Sequence, residues 1–332
     1  MNASAPSADS LRAALAGLLD GLPPKQAAQA VDRLIASYRG TTPTDAPVLR
    51  DRSDVAAYAA YRMPATFEAV RSALGALRAA VPDWEPRTHT DVGGGTGAAA
   101  WAVAEAWEEQ PPRTTVLDWA EPALALGREL AAGALDAEWR TARIGGALRL
   151  ADTDLVTVSY VLKELTGADR AALVAEAARA ARMVVIVEPG TPDGYERIIA
   201  ARTLLIEAGF TVAAPCPHSG ACPIEPGTDW CHFSARVSRS SLHRKVKGGS
   251  LPYEDEKFSY VAATRIPPVP AASRITRRPQ IRKGLVQLDL CGPDGLARET
   301  VTKRHGPLYK KARDAEWGDS WPPEDADGAG RS

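Results

Sequence analysis

A doubly wound α/β fold, with a helical lead-in and a β-rich tail that carries every cysteine, is what this sequence predicts. Three observations carry that expectation. Short apolar runs alternate with helix-length segments between residues 86 and 214, and the first of those runs is followed by the turn Gly93–Gly94–Gly95–Thr96–Gly97. Beyond Pro215 the texture changes to Pro, Gly, His and Cys. With 332 residues and 45% hydrophobic composition, the chain can bury one sizeable α/β core and still carry smaller attached elements.

The elements follow in order. Residues 9 to 39 hold two short apolar-periodic segments around the turn region Gly21–Pro24, and residues 52 to 81 hold a third, with Tyr58, Tyr61, Phe67, Val70, Leu74 and Leu77 as buried-face candidates. These make residues 1–85 a helical subdomain. Residues 86–214 form the second unit: strands at Thr90–Val92, Thr115–Asp118 and Leu155–Val158, a helix from Pro122, the almost uninterrupted apolar strand Met183–Val187, a helix over Tyr195–Ala208 and a strand over Phe210–Ala214. Continuous apolar strands need helices on both faces, which favours a doubly wound sheet over a barrel. In residues 215–320, Leu285–Leu290 and Leu296–Thr302 flank Gly292–Pro293–Asp294–Gly295, a strand–turn–strand signature. Phe258–Ala263 is expected to return to the main sheet, and residues 321–332 read as a disordered tail.

A glycine turn directly after a strand lets the backbone approach a ligand that a Cβ would exclude. Asp91, Gly93, Gly95 and Gly97 are therefore cofactor-binding candidates, and Asp118, ending the next strand, has a carboxylate able to accept from both hydroxyls of a ribose. The plainer alternatives are a glycine C-cap, a capping Asp91 and a solvent-facing turn Asp118. No Lys–Ser/Thr pair follows the turn, which argues against a Walker-type phosphate site and ATP hydrolysis. The acidic residue followed by GxGxG resembles the first motif of class I S-adenosylmethionine-dependent methyltransferases. That resemblance implies an adenosine and methionine pocket above the strand ends, without implying turnover. At the exit of the fourth strand, Ser159–Leu165 departs from the Asn/Asp–Pro–Pro–aromatic motif of nucleic-acid amino-methyltransferases, and no Cys lies on the predicted fourth or fifth strand to attack a pyrimidine. Tyr160, Lys163 and Glu164 border the pocket, either as ligand contacts or as a packed seam and a solvated helix face. The catalytic residue is unknown.

Cys216, Cys222, Cys231 and Cys291 could bring four thiolates together around structural zinc or a [4Fe–4S] cluster, and spacing alone does not separate the two. Independent buried thiols are the plain alternative. The stretches Ala214–His218, Cys222–Pro223, Asp229–Ser234, Arg239, His243–Arg244, Lys247 and Pro252–Tyr260 resemble the methyltransferase-like family of mitochondrial small-ribosomal-subunit proteins and their bacterial relatives. Glu188–Pro192, Tyr309–Arg313 and Trp317–Asp319 extend the likeness over about residues 86–320. This resemblance implies a class I methyltransferase-like sheet with a four-cysteine module that holds a [4Fe–4S] cluster, zinc being the metal alternative. It also implies a role in small-subunit assembly or translation, and a fold that can be retained for cofactor or RNA binding without methyl transfer.

Forty Lys and Arg against 41 Asp and Glu hide local excesses. Residues 236–249 contain five basic and no acidic residues, and residues 265–313 contain twelve basic and three acidic ones. Such tracts suit backbone phosphates. Arg236, Arg239, Arg244, Lys245, Lys247, Arg277, Arg278, Arg282, Lys283, Lys303 and Arg304 are the candidates, with Trp230 and Phe233 either stacking on bases or packing internally. The expected partners are ribosomal RNA and the small ribosomal subunit or its assembly intermediate. The first residues contain neither a secretory leader nor a membrane-length apolar run, so a cytoplasmic location without membrane contact is expected. Two functions are carried forward: an assembly or translation factor stabilised by an iron–sulfur cluster, and an active S-adenosylmethionine-dependent ribosomal RNA methyltransferase. Zinc-stabilised RNA binding is a further structural alternative.

Overall fold

The computed structural model describes residues 7–19, 52–225, 227–238 and 252–323. The expected helical segment within 20–39, the basic residues Arg239, Arg244, Lys245 and Lys247, and residues 324–332 lie outside the described residues, as does the side chain of Tyr58.

Helices α1 (Ala8–Leu19) and α2 (Arg52–Ala80) lead into strand β1 (Thr88–Val92). Then come α3 (Ala98–Ala106), β2 (Arg113–Asp118), α4 (Glu121–Ala131), β3 (Ala137–Thr141), β4 (Thr153–Ser159) and a short 3-10 segment, Leu162–Glu164. Helix α5 (Gly167–Ala180), β5 (Ala181–Pro189), α6 (Pro192–Glu207) and β6 (Thr211–Ala214) complete the alternation. Two helix starts are set locally: the Thr166 hydroxyl caps α5 by accepting from Asp169 N, and Thr191 caps α6 by accepting from Gly194 N, with Pro192 in the first turn.

Two strands after the alternation, β7 (Phe233–Ser238) and β8 (Tyr253–Thr264), join the same sheet. Its order is β3–β2–β1–β4–β5–β8–β6, with β7 pairing β8 off that path. Strands β1 to β5 run parallel, whereas β8 lies antiparallel between β5 and β6. An antiparallel strand inserted beside the last parallel one is the class I methyltransferase-like arrangement, and the helical N-terminal region covers one face of it. Strand β8 does two things: Phe258–Thr264 fill the sheet interior, while Tyr253–Lys257 extend past β5 to pair with β7.

The alternation of side chains divides the core in two. Leu155, Met183, Val185 and Val187 pack under α1 to α4 with Phe67, Leu74 and Trp101, and Val156, Val158, Val184 and Ile186 pack under α5 and α6 with Leu173, Ile198 and Leu205. A second, five-stranded sheet contains β9 (Ser273–Ile275), β10 (Gln280–Arg282), β11 (Leu285–Gly292), β12 (Gly295–Thr302) and β13 (Ser320–Trp321), ordered β10–β11–β9–β13 with β12 on β11. Helix α7 (Pro307–Asp314) closes its small core of Ile275, Val286, Leu288, Leu290, Val301, Ala312 and Trp321. Trp321, which the sequence reading placed in the tail, is buried in that core and pairs with Ser273.

Candidate functional site

The glycine turn leaves β1 at the carboxyl edge of the parallel strands. Gly93, Gly95 and Gly97 all have positive φ, the region L side chains avoid. The three positions differ in what surrounds them. A Cβ on Gly93 would overlap Val161, and one on Gly97 would meet the Trp139 ring, so these glycines are needed for packing. A Cβ on Gly95 would find only Asp118 Oδ2, at 3.8 Å, so this glycine faces an open cradle.

Asp118 braces that cradle from the end of β2. Its Oδ2 accepts from Gly95 N at 2.9 Å and its Oδ1 from Ala120 N at 2.9 Å, which leaves each oxygen with acceptor capacity. Burial raises its pKa, and the backbone N–H groups of Ala120, Gly95 and Trp119 oppose the rise. Asp91 lies beneath the turn and is fully buried. Its Oδ1 accepts from Thr157 Oγ1 at 2.7 Å, while Oδ2, against Gly94, makes no hydrogen bond of ordinary geometry, the Ala100 N–H of α3 being the backbone donor that acts on this carboxylate. Burial, then the nearby Asp118 charge, pushes the Asp91 carboxyl up to about 7 against the Thr157 bond.

Thr157 is itself held at 2.8 Å by His89 Nε2, and His89 Nδ1 meets Thr114 Oγ1 at 3.1 Å. Because the Thr157 hydroxyl donates to Asp91, His89 must donate from Nε2 and accept at Nδ1. Burial takes the His89 pKa down to about 3, which keeps it neutral. Neither His89 nor Thr157 is visible as a site residue in the sequence. They meet Asp91 only through the parallel register that sets Asp91 opposite Thr157.

The other wall comes from the ends of β4 and β5. Tyr160 takes a left-handed φ of 61° and donates from its hydroxyl to Glu256 Oε1 at 3.0 Å, with the Arg62 guanidinium over its ring. Arg62 of α2 also pairs with Glu256 at 3.0 Å, so the helical N-terminal region is tied to this wall. Glu188, wholly buried, accepts from Leu162 N at 3.0 Å and from Arg197 Nε at 2.7 Å. Glu164 reaches solvent, yet the surrounding protein, then the Asp118 and Glu188 charges, push its carboxyl up to about 7.

An adenosyl group suits these residues. They provide an open backbone cradle at Gly95 and a carboxylate with spare acceptors at Asp118.

The four-cysteine expectation is corrected. Cys216, Cys222, Cys231 and Cys291 border one cavity, but its volume is about 30 Å³, room for little more than a water or two. Among the described residues no group of three or more His, Cys, Asp and Glu could hold a metal ion. Neither a [4Fe–4S] cluster nor zinc is carried further. The thiols serve the packing instead: burial raises the pKa of Cys216 and Cys231 and takes Cys291 to about 12, keeping them protonated, while Cys222 Sγ lies 3.2 Å from the Tyr195 hydroxyl. Arg274 donates to Pro215 O and Gly318 O, and Arg202 to His218 O and Gly220 O, stitching the loops together.

Of the basic candidates, Arg278, Arg282, Lys283, Lys303 and Arg304 are exposed, Arg236 pairs with Asp255 and Arg277 with Asp229. Phe233 is buried among Phe258, Tyr260 and Trp317, so it packs internally. Among the described residues no helix is long and apolar enough to cross a membrane.

A family model described as mitochondrial small ribosomal subunit Rsm22 matches residues 52–322. The human ribosome assembly protein METTL17, mitochondrial, is 31% identical over 290 residues, covering 80% of this chain and 62% of that protein. The Rsm22-cox11 tandem protein 2, mitochondrial, of Schizosaccharomyces pombe is 28% identical over 185 residues, covering 43% of this chain and 25% of that one. The chain thus spans less than two thirds of the length of these relatives. Their names are mitochondrial, which overturns the expected cytoplasmic location. Among solved structures, an O-methyltransferase family protein from Burkholderia thailandensis aligns at a TM-score of 0.43 and 14% identity, over 71% of this chain and 68% of that one. The magnesium protoporphyrin IX methyltransferase of Synechocystis aligns at 0.41 and 14%, over 72% and 94%.

Proposed function

Since the chain belongs to the mitochondrial small ribosomal subunit Rsm22 family, we propose that it binds S-adenosylmethionine at the glycine turn and acts on the small ribosomal subunit or its assembly intermediate through ribosomal RNA. The observation that carries the cofactor half is the pairing of an open Gly95 cradle with the Asp118 carboxylate beside it, whose oxygens keep acceptor capacity. In this reading Asp118 accepts from the ribose hydroxyls and Asp91 from the cofactor's amino group or a water on it, while Gly93 and Gly97 keep the turn tight against Val161 and Trp139. Residues 86–214 form the cofactor unit, 1–85 the helical subdomain, and 215–320 the RNA-contacting unit that returns β8 to the main sheet. The human relative's name as a ribosome assembly protein and the exposed cations from Arg278 to Arg304 support the ribosomal half.

When bound, S-adenosylmethionine supplies an electrophilic methyl group. Methyl transfer to ribosomal RNA is the second reading, favoured by Glu164: a carboxyl pushed to about 7 at the pocket mouth is suited to take a proton near neutral pH. Calorimetry with S-adenosylmethionine and S-adenosylhomocysteine tests the cofactor half, with binding expected in wild type and lost in Asp118→Ala. Absence of binding by both ligands at high concentration removes the cofactor from the proposal. Incubation with labelled cofactor and immature small subunits tests transfer. Label on the RNA, lost in Glu164→Gln, is expected from the enzyme reading, and no label limits the chain to a binding role.

A further inference from the structure

A second group of side chains, away from the glycine turn, has the make-up of a nucleic-acid contact. The Trp230 and His232 rings stack with centroids 5.3 Å apart and planes 20° from parallel, and Trp317 meets His232 edge-on at 4.9 Å. Lys257 Nζ lies 4.3 Å from the centre of the Trp317 ring. All three residues are half-buried, Trp317 with its Nε1 buried and without a partner, and Lys257 is exposed. The ladder is held in place: Trp230 Nε1 donates to Gly190 O at 2.9 Å, and Arg277, already paired with Asp229, donates to Trp230 O at 3.3 Å.

Cations and carboxylates around the rings are paired unevenly: among the described residues Glu316 and Asp319, exposed on either side of Trp317, have no cation within ion-pair distance. Asp229 is taken by Arg277, Asp255 by Arg236 and Glu256 by Arg62, whereas Lys257 and Arg278 have no carboxylate within ion-pair distance among the described residues. Burial and the neighbouring Arg278 charge lower the Lys257 pKa, although Asp255 offsets part of this, so an arriving anion would relieve two cations at once. The position is also informative. Gly190 directly follows β5, so the ladder stands at the carboxyl edge of the parallel strands, the edge that carries the glycine turn.

We propose that Trp230, His232, Trp317, Lys257 and Arg278 form a docking platform for an unpaired RNA segment, with bases on the rings and phosphates at the two cations. The inference deepens the RNA-contacting reading above and rests on it. Aromatic faces accept any unstacked base, whereas a duplex keeps its bases inside, so the platform selects single-stranded nucleotides by form rather than by sequence.

The test uses the full chain with a short single-stranded oligoribonucleotide, a duplex of equal length and small-subunit ribosomal RNA, each titrated at two salt concentrations. The single strand should bind more tightly than the duplex. Trp230→Ala should weaken single-strand binding about tenfold and Trp230→Phe restore most of it. The double variant Lys257→Gln with Arg278→Gln, two exposed changes of which the first also removes the cation over Trp317, should reduce the salt slope by about 1.4, the share of two phosphates. Unchanged single-strand affinity and salt slope in these variants, with ribosomal RNA still bound, overturns the platform and leaves the RNA reading standing. Equal binding of duplex and single strand overturns it too. Failure of the wild-type chain to bind any of the three RNAs overturns both.

Discussion

The carboxyl edge of the parallel sheet and the cavity bordered by four cysteines are equally rich in buried ionisable groups, yet those groups are directed differently. At the sheet edge the glycine turn exposes backbone, Asp118 keeps spare acceptors and Asp91 Oδ2 lies buried without a hydrogen bond of ordinary geometry. Around the cysteines, the guanidinium groups of Arg202 and Arg274 donate to loop carbonyls, Arg202 Nε lacking a partner, and burial keeps the Cys216, Cys231 and Cys291 thiols protonated about a space of some 30 Å³. Perturbed titration marks both regions, so it does not by itself mark a ligand site. A cradle that backbone leaves open, with acceptors aimed at it, does.

A large expected effect separates two glycines of one turn. Gly93→Ala should cost about 3 kcal/mol of stability, because the new methyl overlaps Val161 and the residue holds φ +70°. Chemical denaturation checks this, and a loss no greater than that of Gly95→Ala would show that the turn relaxes freely.

Next comes Asp91. Its folded pKa of about 7 stands above the ordinary 3.8, so the folded state holds the proton longer than the unfolded one. The proton-linked stability is fully present below pH 3.8 and is lost as pH rises towards 7, on the order of 2–4 kcal/mol in all. Asp91→Asn, which cannot titrate, should remove this slope from urea midpoints measured across the window. A wild-type profile that instead rises with pH through that window, and is unaltered by the variant, would show the carboxylate to be ionised throughout.

Asp118→Asn should cost about 1–2 kcal/mol, since its carboxylate accepts from two backbone N–H groups and an amide can accept at only one oxygen. S-adenosylmethionine affinity should fall tenfold or more in the same variant. Gly95→Ala should lose about 1 kcal/mol to its left-handed backbone alone, yet weaken cofactor binding out of proportion, because its methyl projects into open space. Equal effects on stability and binding there would remove Gly95 from the cradle.

The smallest change is expected on the cysteine side. Cys231→Ala should cost about 1 kcal/mol or less, and thiol reagents should react slowly at Cys231 in the folded chain because burial keeps its thiol protonated. Elemental analysis sharpens this half of the comparison: stoichiometric zinc, or iron with sulfide, in the purified protein would break it.

Much of the sheet was legible because its interior strands are short apolar runs. Strand β3 was not, since Ala-Glu-Trp-Arg-Thr at the sheet margin buries only Trp139 and presents no such run. The cysteines misled for a related reason. Their number suits a tetrahedral centre, but spacing along the chain carries no information about the volume left between side chains once the loops are packed. Phe233 was ambiguous in the same way, because an aromatic flanked by polar residues can face inward or outward. The packing of β7 against β8 settles it inward.

What the sequence determined by itself was local: the glycine turn with its acidic residue, the alternation of strand and helix, and the second acidic residue at the end of β2. Each follows from backbone sterics or from a periodicity readable within a few residues. Only the tertiary structure decided which strand lies beside which, and so placed Thr157 and His89 against Asp91 and brought Glu256 of β8 to Tyr160 and Arg62. It also gathered Trp230, His232 and Trp317 from two chain segments into one ladder. Contacts of that kind depend on register and crossover between segments distant in sequence, and no periodicity along the chain encodes them.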